Sequence, residues 1–198
     1  TGLSDVLVEA LTKVVEALPD LLPKIQEQLL DLLALHLARQ PFKANSPHTA
    51  YLLQALSASE LQGPPLTQLA LHTIGHFDFG QHNLLDFARE HLMQYLDDAD
   101  ASTRKAVALA CCSLLEKQEK RRGSTGEATM LPLAVLHPQA HRVAVEAIVQ
   151  RLLVSAVADI KVPVRYAVFA ALRDSAALDD HLSQVDCLRS LFVALNDE

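Results

Sequence analysis

Tryptophan is absent from this 198-residue chain, aromatic residues make up only 5% of it, and there are six glycines and three cysteines. The glycines are scattered, so no Gly-rich loop is present to cradle a phosphate. Cys111, Cys112 and Cys187 are an odd and sparse set, which excludes a disulfide framework and fits a reducing compartment. Cys111 and Cys112 are adjacent on one helix, where their side chains diverge, so they read as small apolar core residues. No apolar run reaches the roughly 18 residues that a membrane span needs; Lys24, Glu27, Asp31 and Arg39 interrupt the richest segment. No excess of positive charge exists either. A net charge of -7 argues against a nucleic-acid binder, whose electrostatic footprint is basic. No signal peptide is visible, and there is no starting Met. No Val/Ile/Thr/aromatic alternation of useful length appears, which excludes a substantial sheet.

What is present is Leu and Ala at helical spacing, the composition of helices packed on helices. Leu3, Val6, Leu7, Ala10, Leu11, Val14 and Leu18 follow the i, i+3, i+4, i+7 pattern, and Pro19 ends the run. A second helix opens at Asp20–Pro23, with Ile25, Leu29, Leu32, Leu33 and His36 on one face, and the two read as an antiparallel hairpin. Residues 40–47 read as a loop, followed by a short helix near 49–56. Gly63-Pro64-Pro65 is the strongest breaker, and Leu66–His76 is helical after it. Phe77–His82 is a turn holding two aromatics. Asn83 caps a helix running to Leu96, and the next runs from Ser102 to Lys117. Residues 118–131 are polar and basic at Lys120-Arg121-Arg122, an exposed loop. Pro138 opens a long helix to Ala158, with partners at 164–173 and 185–195 and a loop over 174–180.

The fold class is therefore all-α: an α-solenoid of antiparallel helix pairs, HEAT- or armadillo-like, with approximate units 3–39, 47–77, 83–117, 138–174 and an incomplete 183–198. Both ends read as cuts through a longer protein. Its most informative feature is a turn grammar. Leu96-Asp97-Asp98 leads to Thr103-Arg104-Lys105-Ala106, Asp159-Ile160-Lys161 leads to Val164-Arg165-Tyr166-Ala167, and the pattern starts again at Leu195-Asn196-Asp197. An Asp at such a turn accepts N–H groups of the next helix and sits at the positive end of its dipole. The Arg at the start of the second helix can reach an Asp in the same or an adjacent repeat, so Asp97 or Asp98 with Arg104, and Asp159 with Arg165, would form a ladder along one edge, against the reading of simply solvated helix-end charges. Its pairs, expected to be exposed, would each contribute under about 1 kcal/mol and set stacking register.

Chemical motifs are weak. Asp78-Phe79-Gly80 spells the kinase DFG but lacks the catalytic loop and nucleotide lysine that the motif needs. His72 and His76 stand i, i+4, without the Glu of HExxH or a clear third ligand. Arg121-Arg122-Gly123-Ser124 resembles a basophilic-kinase target and makes Ser124 a candidate phosphosite, against the reading of a plain solvated loop. No nucleophile elbow is present. No catalytic, cofactor or metal residue is assigned.

Two segments carry a family resemblance: LALHTIGHFDFGQHNLLDFAREHLMQYLDDADASTRKAVALACCSLL (69–115) and AVEAIVQRLLVSAVADIKVPVRYAVFAALRDSAALDDHLSQVDCLRSLFVALND (144–197). Phe77-Asp78-Phe79 through His82, the Arg-bearing helix start at 159–166, and Leu191–Asp197 are their most specific pieces. Both resemble the amino-terminal HEAT array of the TOR (target of rapamycin) kinases. The loops at 42–66 and 117–140 depart from the animal and fungal pattern and point to a more distant lineage, such as a plant or alga.

The resemblance implies a scaffold segment of a large serine/threonine-protein kinase in nutrient and growth signalling. It implies contact with a Raptor-like subunit and other parts of a TOR complex, a dimeric full-length protein, and a cytoplasmic location with access to endomembrane surfaces. ATP and Mg²⁺ would belong to a kinase domain elsewhere. The alternatives are a HEAT or armadillo adaptor unconnected to a kinase, and a stand-alone helical enzyme.

Overall fold

A computed structural model describes residues 3–38, 64–80, 82–123 and 138–194. The described residues are helical or in short turns, with no strand among them, and the fold is all-α and of the helical-solenoid class. The chain divides into two compact units, Thr1–His82 and Asn83–Glu198. The helix expected near 49–56, the candidate phosphosite Ser124 and the third turn signal at 195–197 lie outside the described residues.

In the first unit, α1 (Leu3–Ala17) leads through a 3-10 turn (Pro19–Leu21) into α2 (Leu22–Leu37), and α3 (Pro64–His76) follows. Both α1 and α2 pack against α3. Proline occupies the first turn of α2, where its missing N–H removes no intrahelical bond. The buried face of α2 is only in part the one expected: Leu33 is buried as expected, Gln26, Leu35 and Leu37 are buried besides, and Ile25, Leu29, Leu32 and His36 are only partly covered. Gln26 is polar yet covered because its side chain donates from Nε2 to the Asp78 carbonyl at 2.9 Å, which ties that edge of α2 to the turn after α3. On α1 the expected stripe is also half open, with Val6, Val14 and Leu18 exposed.

The turn after α3 is built around two rings. Phe77 and Phe79 are buried and meet edge to face at 5.0 Å. Asp78 Oδ1 accepts the Gly80 N–H at 3.0 Å, and Gly80 has φ +57°. The positive φ is what calls for glycine here; a Cβ would stand 2.9 Å from Gln26 Nε2 and would have to displace the end of that side chain.

In the second unit, α4 (Leu84–Phe87) continues through a π turn (Ala88–Leu92) and a 3-10 turn (Met93–Asp97). Asn83 caps it, its Oδ1 accepting the Leu85 N–H at 3.2 Å. The inward residues Leu84, Leu85, Ala88, Leu92, Tyr95 and Leu96 keep ordinary helical spacing, so their pattern does not betray the change of pitch. Next come α5 (Ala101–Gly123), α6 (Pro138–Ala158), α7 (Val162–Arg173), a 3-10 turn (Ala176–Leu178), α8 (Asp179–Leu182) and α9 (Val185–Ala194). Two expectations are corrected here. Residues 118–123, read as loop, are the end of α5, where good helix formers are reinforced by the Glu116–Lys120 pair at 2.5 Å. Residues 174–180 are not plain loop, because fully buried Leu178 anchors a short helical link.

The core of this unit lies where α5 and α6 both meet α7 and α6 meets α9. Val107, Cys111, Leu114, Ile148, Leu152 and Val168 fill it. Burial pushes the Cys112 thiol up to about 12, and it pushes Cys111 higher still, so both behave as apolar residues.

Gly80→Ala is expected to lower the stability of the first unit by about 1–2 kcal/mol from the left-handed backbone alone, with the Gln26 clash added. Thermal or urea unfolding monitored by circular dichroism checks this.

Candidate functional site: the paired inter-helix turns

Two turns of the second unit, 97–101 and 159–162, carry the repeated grammar and are built alike. In the first, Asp98 Oδ1 accepts the Asp100 N–H at 2.9 Å. In the second, Asp159 Oδ1 accepts the Lys161 N–H at 2.8 Å. Each aspartate thus bonds the backbone two residues on, which folds the chain sharply between helices. Arg104 Nη1 donates to the Asp98 carbonyl at 2.8 Å, and Arg165 Nη1 donates to the Asp159 carbonyl at 2.7 Å. In both cases the arginine reaches back six residues. Asp98 corresponds to Asp159, and Arg104 to Arg165.

The first turn has a further lock. Asp100 Oδ2 accepts the Thr103 N–H at 2.7 Å and the Thr103 hydroxyl at 2.8 Å, capping α5. Thr103 belongs to the turn grammar read from the sequence, but its pairing with Asp100 was not, although Asp-x-x-Thr before an apolar run is a usable capping signal.

The two turns are joined by one ion pair. Arg104 donates from Nε to Asp159 Oδ2 at 2.7 Å and from Nη2 to Oδ1 at 2.9 Å, while Nη1 holds the Asp98 carbonyl and the Ala99 carbonyl at 3.1 Å. This fork-to-fork arrangement is strong and directional. The side chains are 8% and 3% exposed. That corrects the expected energetics: a pair expected to be exposed is buried, and removing one partner of a buried pair costs far more than losing a surface contact. It also decides between same-turn and adjacent-turn partners. Arg104 takes backbone carbonyls from its own turn and the carboxylate from the next. Arg165 takes a carbonyl of its own turn. Asp97 pairs instead with Arg151 of α6, for which the sequence offers no local signal because the two are 54 residues apart.

The Arg104 hydrogen bonds hold the Asp159 carboxyl below the usual carboxylate range, helped by the Lys161 N–H and opposed by burial. The same bond raises Arg104 above the ordinary guanidinium value. Because the Asp159 value is depressed, its contribution to stability is complete above the unfolded carboxylate's value and is lost as pH falls through the folded one.

A cleft of about 360 Å³ opens beside the pair, lined in part by Asp97, Asp98, Arg151, Ser155 and Asp159, with Ile160 81% exposed at its rim. Its charged groups are engaged with one another, Arg104 with Asp159 and Arg151 with Asp97, so the arrangement fixes geometry.

The other candidates lie in the first unit. The rings of His72 and His76 stack at 3.9 Å; His72 Nε2 lies 3.1 Å from Asp5 Oδ1, and His76 Nδ1 lies 2.9 Å from the His72 carbonyl. Burial, and after it the neighbouring His76, hold the His72 imidazole below its ordinary value, with Asp5 opposing. Asp78 is spent on the Gly80 turn. Among the described residues no group of three His, Cys, Asp or Glu side chains is placed to hold a metal ion. Among them, too, no helix is long and apolar enough to cross a membrane.

Helices joined by locked turns, with polar groups spent on holding the turns together, define an all-α protein of the helical-solenoid class. Over its whole length the chain matches the TOR serine/threonine-protein kinases and belongs with that family as a segment of it. It is 37% identical over 203 residues to serine/threonine-protein kinase TOR of Arabidopsis thaliana and 44% identical over 202 residues to that of Oryza sativa subsp. japonica, in each case over 100% of this chain. It is 33% identical to serine/threonine-protein kinase tor1 of Schizosaccharomyces pombe over 97% of the chain. The chain spans only 8% of the length of each of these relatives. No family model matches it. No solved structure matches it either. The matches are to kinases, so the reading as an adaptor unconnected to a kinase is set aside.

Arg104→Ala, which strands the Asp159 carboxylate, is expected to cost about 3–5 kcal/mol. Leu152→Ala is expected to fall in the same range, about 2–5 kcal/mol, and Arg165→Ala near 1 kcal/mol. Urea unfolding of the three variants tests the ranking, and equal shifts for Arg165→Ala and Leu152→Ala would overturn it.

Proposed function

We propose that this segment is part of the amino-terminal HEAT scaffold of a TOR-type kinase and serves protein–protein contacts rather than catalysis. The carrying observation is the whole-chain match to TOR kinases combined with a fold whose ion pairs lock turns together. The partners in this reading are a Raptor-like subunit and a second copy of the full-length protein, in nutrient and growth signalling in the cytoplasm. ATP and Mg²⁺ act in a kinase domain outside this segment. Exposed apolar side chains support the contact role: Ile160, Val162, Tyr166 and Phe192 are all more than half exposed in the second unit. A groove of about 350 Å³ lies beside Tyr166, lined also by Phe169, Arg173, Leu182 and Leu191.

Ile160→Asp with Tyr166→Asp in the full-length protein is the test. Both side chains face solvent, so folding should survive. The expected result is weaker co-purification of the Raptor-like subunit or loss of dimer, with activity on a free peptide substrate unchanged. Intact assembly, or loss of peptide phosphorylation with assembly intact, would contradict the proposal.

A further inference from the structure

We propose that the cleft between the two inter-helix turns receives a lysine side chain from a partner subunit. This deepens the scaffold reading and rests on it. The cleft, about 360 Å³, is bordered by the turn after Leu96, by α6 from Arg151 to Ala158, and by the turn at Asp159 and Ile160. That volume admits one long side chain and is small for a whole cofactor.

The wall of the cleft offers open acceptors. Asp97 gives Oδ2 to Arg151, and its Oδ1 has no hydrogen-bond partner among the described residues. The Asp97 side chain is 70% exposed, so an incoming group meets it directly. Ser155 of α6 is 7% exposed, and its Oγ has no hydrogen-bond partner among the described residues. A serine inside a helix can bond the carbonyl four residues back, and a buried hydroxyl without any such bond is held at a cost. Rotation about its one χ1 bond turns the hydroxyl toward a donor that enters.

These acceptors select the occupant. A carboxylate with both oxygens open suits the planar fork of an arginine. One open carboxylate oxygen and one hydroxyl suit a compact ammonium with its three rotatable donors. The lysine stem has apolar wall to lie on, since Val154 and Ile160 are 51% and 81% exposed at the cleft. The lining holds three carboxylates, of Asp97, Asp98 and Asp159, against two guanidiniums, of Arg104 and Arg151, so one added cation balances it. A second copy of this segment carries a net charge of -7 and is repelled, so the lysine comes from a different polypeptide. Arg151 competes with that lysine for Asp97, in a pair exposed enough to add little stability.

Zero-length carbodiimide cross-linking of the assembled full-length complex tests this, because the reagent joins a carboxylate to an amine in contact with it. Mass spectrometry is expected to find the carboxyl of Asp97 joined to a lysine of another subunit, and to lose that product in Asp97→Asn. Asp97→Lys is expected to weaken co-purification of the same subunit about tenfold, whereas Arg151→Met, which releases Asp97, leaves it as tight or tighter. A purely structural tie would make both substitutions weaken assembly alike, and that result would overturn the proposal. A product joining Asp97 to a second copy of this chain, or no product with any other subunit, would overturn it too. Assembly that survives Asp97→Lys but not the paired Ile160→Asp and Tyr166→Asp changes would sink the lysine site and leave the scaffold reading standing. Assembly that survives both would sink the two together.

Discussion

The buried guanidinium of Arg104 is the constraint on which the second unit depends. An arginine cannot shed its charge, and a buried charge must be paired and its donors satisfied. Here two of its nitrogens grip the Asp159 carboxylate, and the third holds two carbonyls of its own turn. Those acceptors exist in the right places only if both turns are folded. The Asp98 and Asp159 side-chain bonds to their own backbones, and the Asp100 cap on α5, are thus preconditions for the pair rather than separate decorations.

The apolar core supplies most of the stabilisation, at roughly 25 cal/mol per Å² buried, but it is non-directional. Leu, Val and Ala rows on α5, α6 and α7 could slide past one another by a turn and still bury comparable area. The bidentate ion pair could not. It fixes α5 against the turn between α6 and α7 at one register, and the Asp97–Arg151 pair adds a second, more exposed tie on the same edge. A fold assembled this way spends its polar residues on alignment. That is the physical content behind reading the segment as a scaffold: a partner surface on a stack of helices is only as well defined as the register of the stack.

How much of this was legible in the sequence follows from distance along the chain. Helices with strong periodicity, such as the one opened by Pro138, were plain because their signal is local. The equivalence of Asp98 with Asp159, and of Arg104 with Arg165, was legible as repeated grammar. Which aspartate Arg104 takes was not, because same-repeat and adjacent-repeat carboxylates were both in reach and Asp159 is 55 residues away along the chain. Burial of that pair was hidden for the same reason. Gln26 was missed because a polar residue at the edge of an apolar stripe reads as solvent-facing until its acceptor, the Asp78 carbonyl, is seen. The end of α5 was misjudged because polar composition was read as loop, whereas the helix continues and the Glu119 side chain is largely covered, 3.6 Å from His141 and 4.0 Å from His181. The similarity to TOR kinases, by contrast, was carried by local strings such as Phe77-Asp78-Phe79 and the 159–166 helix start, and the whole-chain matches agree with it.

The most direct test of this account is a double-mutant cycle on Arg104→Ala and Asp159→Ala, with unfolding free energies measured for the wild type, both single variants and the double variant. A shared register lock predicts strong non-additivity, a coupling energy of about 1.5–3 kcal/mol, because either single change already breaks the joint. Additive losses within about 0.5 kcal/mol would mean that the two residues act independently, and the central claim would fail.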